Sequence, residues 1–116
     1  GAAGLTESSA RKEGFDIITG TFNGMDRHPG LLNNPHKQIV KLIAGRENGI
    51  ILGGEVVGGS STGELINTIG LIIQNKMNVN TLLTMQIGTH PMLTASPAAY
   101  PLIKAAEMIA QEFWRK

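Results

Sequence analysis

Apolar and β-branched residues alternate with polar ones in the first third of the chain, and this pattern predicts a strand preceded by a short helix. The strand covers residues 14–22 and places Phe15, Ile17 and Thr19 on one of its faces. Before it, the stretch "TESSARKE" favours one or two helical turns, with Thr6 as the capping residue. After it, Gly, Asn and Pro dominate "NGMDRHPGLLNNPH", which is typical of an irregular loop.

Two further strand-like runs follow, and together they predict an antiparallel hairpin. They cover residues 37–44 and 49–59, and "GRENG" between them supplies residues that tolerate the backbone of a tight turn. Gly58 and Gly59 end the second run, where they let the backbone turn sharply into the following segment.

Helical spacing of apolar residues dominates the second half of the chain. In "SSTGELINTIGLIIQNKM", Ser61 and Glu64 have the S-x-x-E spacing of a capping box, in which each side chain binds an unpaired backbone N–H. The stretch "VNTLLTM" favours a short helix, and a terminal helix is expected to start near Tyr100. Apolar residues form one face of each long helix: Leu65, Ile69, Ile72 and Ile73 in the first, and Leu102, Ala106, Ile109 and Phe113 in the second.

This order of elements predicts an α+β fold, in which an antiparallel sheet has helices packed on one face. The length of 116 residues fits a single domain over residues 1–116, and 41% hydrophobic residues provide a core. The net charge is +1 without a basic stripe, and no apolar run approaches the ~20 residues of a membrane helix. We therefore expect a cytoplasmic protein that binds neither nucleic acid nor membrane.

His90 is the first candidate for chemistry, and two interpretations stay open from the residues alone. An imidazole titrates near neutrality and can act as a general acid or base. Pro91 restricts the backbone of the residue before it, which would aim the ring. An ordinary loop histidine beside a proline fits the same residues.

Other groups of polar residues and glycines predict no site. The spacing of His28 and His36, with Asp26 nearby, matches no metal motif, so we expect neither a metal site nor a metal-dependent hydrolase that also uses His90. The stretch "GGEVVGGSSTGE" lacks the Rossmann and P-loop patterns, so we attribute its glycines to close packing and tight turns. The main carboxylates belong to different predicted elements and do not support a two-carboxylate hydrolase: Glu47, Glu55, Glu64 and Glu107.

A series of short motifs occurs in a fixed order along nearly the whole chain. G-L-T-E and an A-R pair come first, then a K-L strand, an I-L-G strand, a V-G strand end, an E-L-I helix and a His-Pro pair. With these motifs the chain resembles the C-terminal dimerisation domain of the FAD-dependent pyridine nucleotide-disulfide oxidoreductases, the family of glutathione reductase, dihydrolipoamide dehydrogenase and mercuric reductase. The motif residues are 4–7, 10–11, 41–42, 51–53, 57–58, 64–66 and 90–91.

The resemblance implies that the chain is the third part of a longer protein, after FAD-binding and NAD(P)-binding domains, and that it forms most of a homodimer interface. It also implies that His90 and Pro91 reach the flavin of the partner subunit, where His90 serves as the acid/base of thiol–disulfide exchange. FAD and NAD(P)H are then cofactors of the full-length parent, and the chain alone is expected to bind neither and to be inactive.

The residues after His90 depart from the family pattern H-P-T-x-x-E. Met92 stands in place of the threonine and Ala95 in place of the glutamate that orients the histidine. Loss of this carboxylate destabilises the imidazolium by about 1–3 kcal/mol in a dry site. We therefore expect weak disulfide reductase activity and an acceptor such as a quinone, oxygen or a small disulfide. The alternative is a free-standing α+β homo-oligomeric binding or assembly module without a redox role.

Overall fold

A computed structural model describes residues 1–25, 37–59, 61–88 and 100–115 of the chain. It contains a four-stranded antiparallel sheet with the strand order β1-β4-β3-β2. The strands are Ala2–Gly4 (β1), Ile17–Met25 (β2), Lys37–Gly45 (β3) and Ile51–Val57 (β4), and the helices are Glu7–Lys12 (α1), Thr62–Gln74 (α2), Val79–Leu83 (α3) and Pro101–Trp114 (α4). The predicted α+β fold with an antiparallel sheet is confirmed.

The β3–β4 hairpin forms at the predicted "GRENG" turn. Gly49 has a φ of 71°, a conformation that side chains disfavour, and its N–H donates to the Gly45 carbonyl at 2.9 Å. The Asn48 side chain accepts a hydrogen bond from the Ile50 N–H at 3.0 Å. The turn therefore has both of the features that its residues favour, a glycine at positive φ and an asparagine that bonds nearby backbone.

One face of the sheet packs against the two long helices, and we call it the core face. Its residues include Ile18, Val40 and Leu42, which lie in one buried cluster with residues of α2 and α4. The buried helix residues of this cluster include Leu65, Ile69 and Ile72 of α2, and Leu102, Ala106 and Ile109 of α4, all from the predicted apolar faces. Of the other two predicted residues, Ile73 is only partly buried against the cluster, and Phe113 is 36% exposed and outside it. Helical spacing therefore identified the core-facing side of both helices.

The opposite face, which we call the open face, carries α1 at one end. Ala10 of α1 is buried against Ile17 of β2 and Ile43 of β3. The backbone at Leu5 crosses β4 directly above Gly53, where any side chain would overlap the Leu5 carbonyl. The sequence predicted helices on one face of the sheet only, so the short helix α1 on the open face is an addition to that prediction. The lack of a side chain at Gly53 leaves room for the backbone that leads into α1.

Thr6 caps α1 as predicted. Its side chain accepts from the Ser9 N–H at 3.1 Å, and the Ser9 hydroxyl accepts from the Thr6 N–H at 2.8 Å, which completes a reciprocal capping box. The strand after α1 begins later than predicted, because β2 starts at Ile17. Phe15 consequently lies outside the strand and is 46% exposed, so its predicted place on the strand face is wrong.

The predicted capping box of Ser61 and Glu64 at the start of α2 is wrong. Ser61 occupies the capping position, but neither side chain makes a capping hydrogen bond. Instead, the Ser61 hydroxyl accepts from Gln38 at 2.9 Å, and Glu64 accepts from the Tyr100 hydroxyl at 2.7 Å. Tertiary partners therefore hold both side chains that the local pattern assigned to the helix end.

Candidate dimerisation surface and the residues that flank His90

The predicted catalytic position lies outside the described residues, because His90 and Pro91, with Met92 and Ala95, fall within residues 89–99. Asp26, His28 and His36 fall within residues 26–36 and are likewise outside the described ranges. In the part of the chain that the structure describes, no group of three His, Asp or Glu side chains lies close enough together to hold a metal ion. The roles of all these residues stay predictions.

The described residues on either side of the His90 segment pack against the core. Met85 and Ile87, shortly before it, are partly buried against the core-face cluster. Tyr100, the first described residue after it, is only 3% exposed and caps α4 with an extended backbone. The predicted start of the terminal helix near Tyr100 is confirmed, with Pro101 in its first turn.

Tyr100 binds the first turn of α2 through its hydroxyl. The hydroxyl donates to Glu64 Oε1 at 2.7 Å, and it thereby joins the start of α4 to the start of α2. Burial, followed by the hydrogen bond and the negative charge of Glu64, raises the pKa of Tyr100 well above the usual tyrosine value. The phenol therefore stays a protonated donor throughout the neutral range.

Gln38 of β3 binds the connection between β4 and α2 through hydrogen bonds from its side chain. This side chain is 1% exposed, and its Nε2 donates to the Gly58 carbonyl at 3.0 Å and to the Ser61 hydroxyl at 2.9 Å. Thr62 donates to the carbonyls of Gly58 and Gly59, each at 3.0 Å. The sequence could have predicted that Gln38 is buried, because it lies two and four residues before the core residues Val40 and Leu42 on the same strand.

The outer face of α2 turns away from the sheet and carries very little charge. Its exposed residues are Gly63, Glu64, Asn67, Leu71 and Gln74. Leu71 is 60% exposed, and Glu64 is the one charged residue in the sequence of this helix. Protein interface cores are similarly depleted of charge, so this surface has the composition of one that meets another protein.

The open face carries a different kind of cluster, built from ions. Glu7 of α1 accepts from Lys41 of β3 at 2.6 Å and from Arg11 at 3.0 Å. The hydrogen bond from Lys41, followed by that from Arg11, lowers the pKa of Glu7. All three side chains remain partly exposed, so the cluster fixes α1 on the sheet without forming a dry site.

A family model described as the pyridine nucleotide-disulphide oxidoreductase dimerisation domain matches residues 1–99. The chain belongs to this family. The match covers the whole sheet, α2 and α3, whereas Tyr100 and α4 come after it. The resemblance found in the motifs is thereby confirmed.

Curated relatives of this dimerisation domain are dihydrolipoyl dehydrogenases. The chain is 33% identical over 94 residues to the enzyme of Halobacterium salinarum, a match that covers 81% of this chain and 19% of that protein. It is 30% identical over 92 residues to the enzyme of Bacillus subtilis, covering 79% of this chain and 19% of that protein. The chain thus spans about a fifth of the length of the curated relatives that it matches.

Solved structures of oxidoreductases share the fold of this dimerisation domain. An NAD-dependent persulfide reductase from A. fulgidus matches with a TM-score of 0.84 and 24% identity, over 96% of this chain and 20% of the other. A water-forming NADH oxidase from Lactobacillus brevis also matches with a TM-score of 0.84, at 20% identity over 97% of this chain and 24% of the other. Within the described ranges, no helix has the length and apolarity to cross a membrane. The cytoplasmic location stays a prediction.

Proposed function

We propose that the chain is the part of a flavin-dependent NAD(P)H oxidoreductase that joins two subunits into a homodimer. Membership of the dimerisation-domain family supports this proposal. The names of the related proteins point the same way, since they include an NAD-dependent reductase and an NADH oxidase. FAD and NAD(P)H would be bound by other parts of a longer protein, because the chain spans about a fifth of its relatives.

The outer face of α2 is the observation that carries the homodimer proposal. An exposed leucine on a helix face with a single carboxylate favours burial against a like surface. Gly63 and Gly70 of the same helix have open space around the position of a side chain, so a second helix could approach closely. A two-fold axis near α2 would bring two such faces together, with Leu71 of each subunit close to the axis.

Substitution of Leu71 by Glu in the full-length protein tests this surface. Two carboxylates would be brought to the interface without partners, so we expect dimerisation to weaken by at least about tenfold in Kd. Met108→Glu on α4 is the matched control, because Met108 is 44% exposed and outside α2. Light scattering across a dilution series measures the effect. A dimer that survives Leu71→Glu but dissociates with Met108→Glu would contradict the proposal.

We also propose that His90 and Pro91 lie at the flavin site of the partner subunit. His90→Ala in the full-length homodimer is then expected to change the flavin absorption and fluorescence spectra while the dimer mass stays the same. An unchanged spectrum in an intact dimer would remove the proposed role of His90.

We expect the acceptor that the proposed enzyme uses to depend on the residues at positions 92 and 95. Because Ala95 supplies no carboxylate to His90, we expect slow reduction of lipoamide by the natural protein and faster turnover with oxygen or a quinone. The double substitution Met92→Thr and Ala95→Glu restores the family pattern, and we expect it to raise lipoamide reduction by about 5- to 100-fold. Steady-state rates with the three acceptors provide the measurement.

The 116-residue chain alone is expected to be colourless and to oxidise no NAD(P)H. The alternative, a free-standing α+β homo-oligomeric module without a redox role, predicts the same behaviour. The open reading frame separates the two proposals, since only the oxidoreductase needs upstream nucleotide-binding sequence and a flavin that purifies with the full-length protein.

A further inference from the structure

One end of the open face carries two large apolar side chains that the described residues leave exposed. Ile39 of β3 lies directly opposite Val57 of β4 in the ladder, and the two are 40% and 61% exposed. Side chains alternate between the faces of a strand, so both point to the open face, whereas their neighbours Val40 and Val56 are buried on the core face. Because β3 and β4 are the two central strands, this apolar pair lies in the middle of the sheet and not at its edge.

The residues around the apolar pair are charged. A sheet face that meets water normally carries polar side chains, and the next pair on this face follows that rule, since Lys41 lies opposite Glu55. Beyond the apolar pair, Lys37 is exposed on the same face of β3. Ile39 and Val57, which we call the open-face pair, therefore form an apolar centre between charged residues. This arrangement is typical of a surface that contacts another protein segment.

The course of β1 shows from which side a longer polypeptide would reach this surface. β1 runs antiparallel to β4, with Ala2 opposite Glu55. Gly1 continues the ladder, because its nitrogen donates to the Val56 carbonyl at 2.7 Å and the Val56 N–H donates to the Gly1 carbonyl at 2.9 Å. Two residues that exchange both bonds lie directly opposite each other in an antiparallel pair. In a longer protein, the residue before Gly1 would thus lie opposite Val57.

Alternation also determines the face to which that preceding residue points. A side chain at Gly1 would meet Ile66 and Thr62 of α2, so position 1 points to the core face. The residue before it would therefore point to the open face, beside Val57. The chain spans about a fifth of the length of its curated relatives, so a protein of their length has ample polypeptide to cover the pair.

We propose that the open-face pair is the docking site of the polypeptide that precedes residue 1 in the longer protein. The preceding segment extends β1 beside Val57, and apolar side chains of the same polypeptide cover Val57 and Ile39. The proposal rests on the proposed function in assigning the chain to a longer protein. It adds a second contact surface, since the sheet separates the open-face pair from α2. One surface joins two subunits, and the other joins two parts of one subunit.

Photo-crosslinking of the full-length protein tests which polypeptide covers the pair. The photoreactive residue p-benzoylphenylalanine replaces Val57 in one variant and Leu71 of the α2 outer face in the matched control, at positions that are 61% and 60% exposed. At position 57 we expect cross-links to residues that precede position 1 of the same subunit, so the product keeps the subunit mass in denaturing electrophoresis. At position 71 we expect a product of twice the subunit mass. Peptide mass spectrometry identifies the linked residues.

The two positions separate this proposal from the proposed function. No cross-link from position 57 to the preceding polypeptide would overturn the docking site. A product of twice the subunit mass from position 57 would also overturn it, because a second copy would then cover the pair. A missing cross-link at position 71, beside the expected one at position 57, would contradict the α2 homodimer and support the docking site.

A charge substitution measures how strongly the preceding polypeptide docks. Val57→Asp brings an unpaired carboxylate into the proposed contact, so we expect limited proteolysis of the junction before residue 1 to become about 3- to 30-fold faster. Thr21→Asp is the matched control, because Thr21 is exposed on the same face of the edge strand β2. Light scattering should give the natural dimer mass for both variants. Cleavage at the natural rate in Val57→Asp, or equal acceleration by both variants, would refute docking at the pair.

Discussion

The two faces of the sheet are stabilised in different ways, although neighbouring residues of one strand supply both. Leu42 and Ile43 of β3 are each 0% exposed and point to opposite faces. Leu42 packs into a large apolar cluster with α2 and α4, whereas Ile43 packs with Ala10 and Ile17 beneath the six-residue helix α1. The long helices cover the core face mainly through apolar area, whereas the short helix α1 adds ion pairs at its edge.

Truncation of these two neighbours should show the largest difference between the faces. We expect Leu42→Ala to cost about 3–5 kcal/mol and Ile43→Ala about 2–3 kcal/mol, because the short helix above Ile43 can settle into the space. Urea unfolding of the 116-residue chain measures both. An equal or greater cost for Ile43→Ala would mean that the open face is as tightly packed as the core face.

Glycine substitutions test how closely the helices approach the core face. A side chain at Gly20 of β2 would overlap the Ala105 carbonyl of α4, so Gly20→Ala is expected to destabilise the chain by about 1–3 kcal/mol. Gly70 of α2 has nothing within 4 Å of the same position, and Gly70→Ala should stabilise the chain by about 0.5–1 kcal/mol at a concentration where it is monomeric. The melting temperatures of the two variants should therefore shift in opposite directions from that of the natural chain. Shifts in the same direction would contradict the close approach of α4 to Gly20.

The smallest effect is expected from the ion cluster of the open face, and it depends on pH. The pKa of Glu7 is lowered in the folded state by Lys41 and then Arg11, so its contribution is present above the unfolded pKa of about 4.3 and is lost as the pH falls through the lower folded value. The urea midpoints of the natural chain and Glu7→Gln should differ at pH 7 and converge in acid. Glu47→Gln in the exposed turn is the control, and it should leave the urea midpoint at pH 7 unchanged.

The core face could be predicted from the sequence because its signals are local and repeated. Helical spacing identified most of the buried residues of α2 and α4, and "GRENG" identified the hairpin turn. Tyr100 was recognised as the start of α4 because a proline follows it. Each of these predictions depends on residues within one element, where periodicity and turn chemistry act directly.

The open face and the start of α2 required information from distant residues. The close approach of the Leu5 backbone to the open face needs a glycine at position 53, more than forty positions later in the chain. Ser61 and Glu64 have an ideal capping-box spacing, but Gln38 and Tyr100 bind them instead. Of the candidate site, the motifs identified the family, and the placement of His90 stays a prediction because it lies outside the described residues.

The strand order has a consequence for the sequence of events during folding. β3 and β4 are joined by a tight turn, whereas β1 pairs with residues of β4 that come about fifty positions later in the chain. Local contacts form early and distant ones late, so we expect β1 to join after the hairpin has formed. Weakening β1 should then accelerate unfolding and leave the refolding rate nearly unchanged. Until β4 is complete, β1 lacks its partner in this sheet, and its length of three residues limits the edge that it exposes in the meantime.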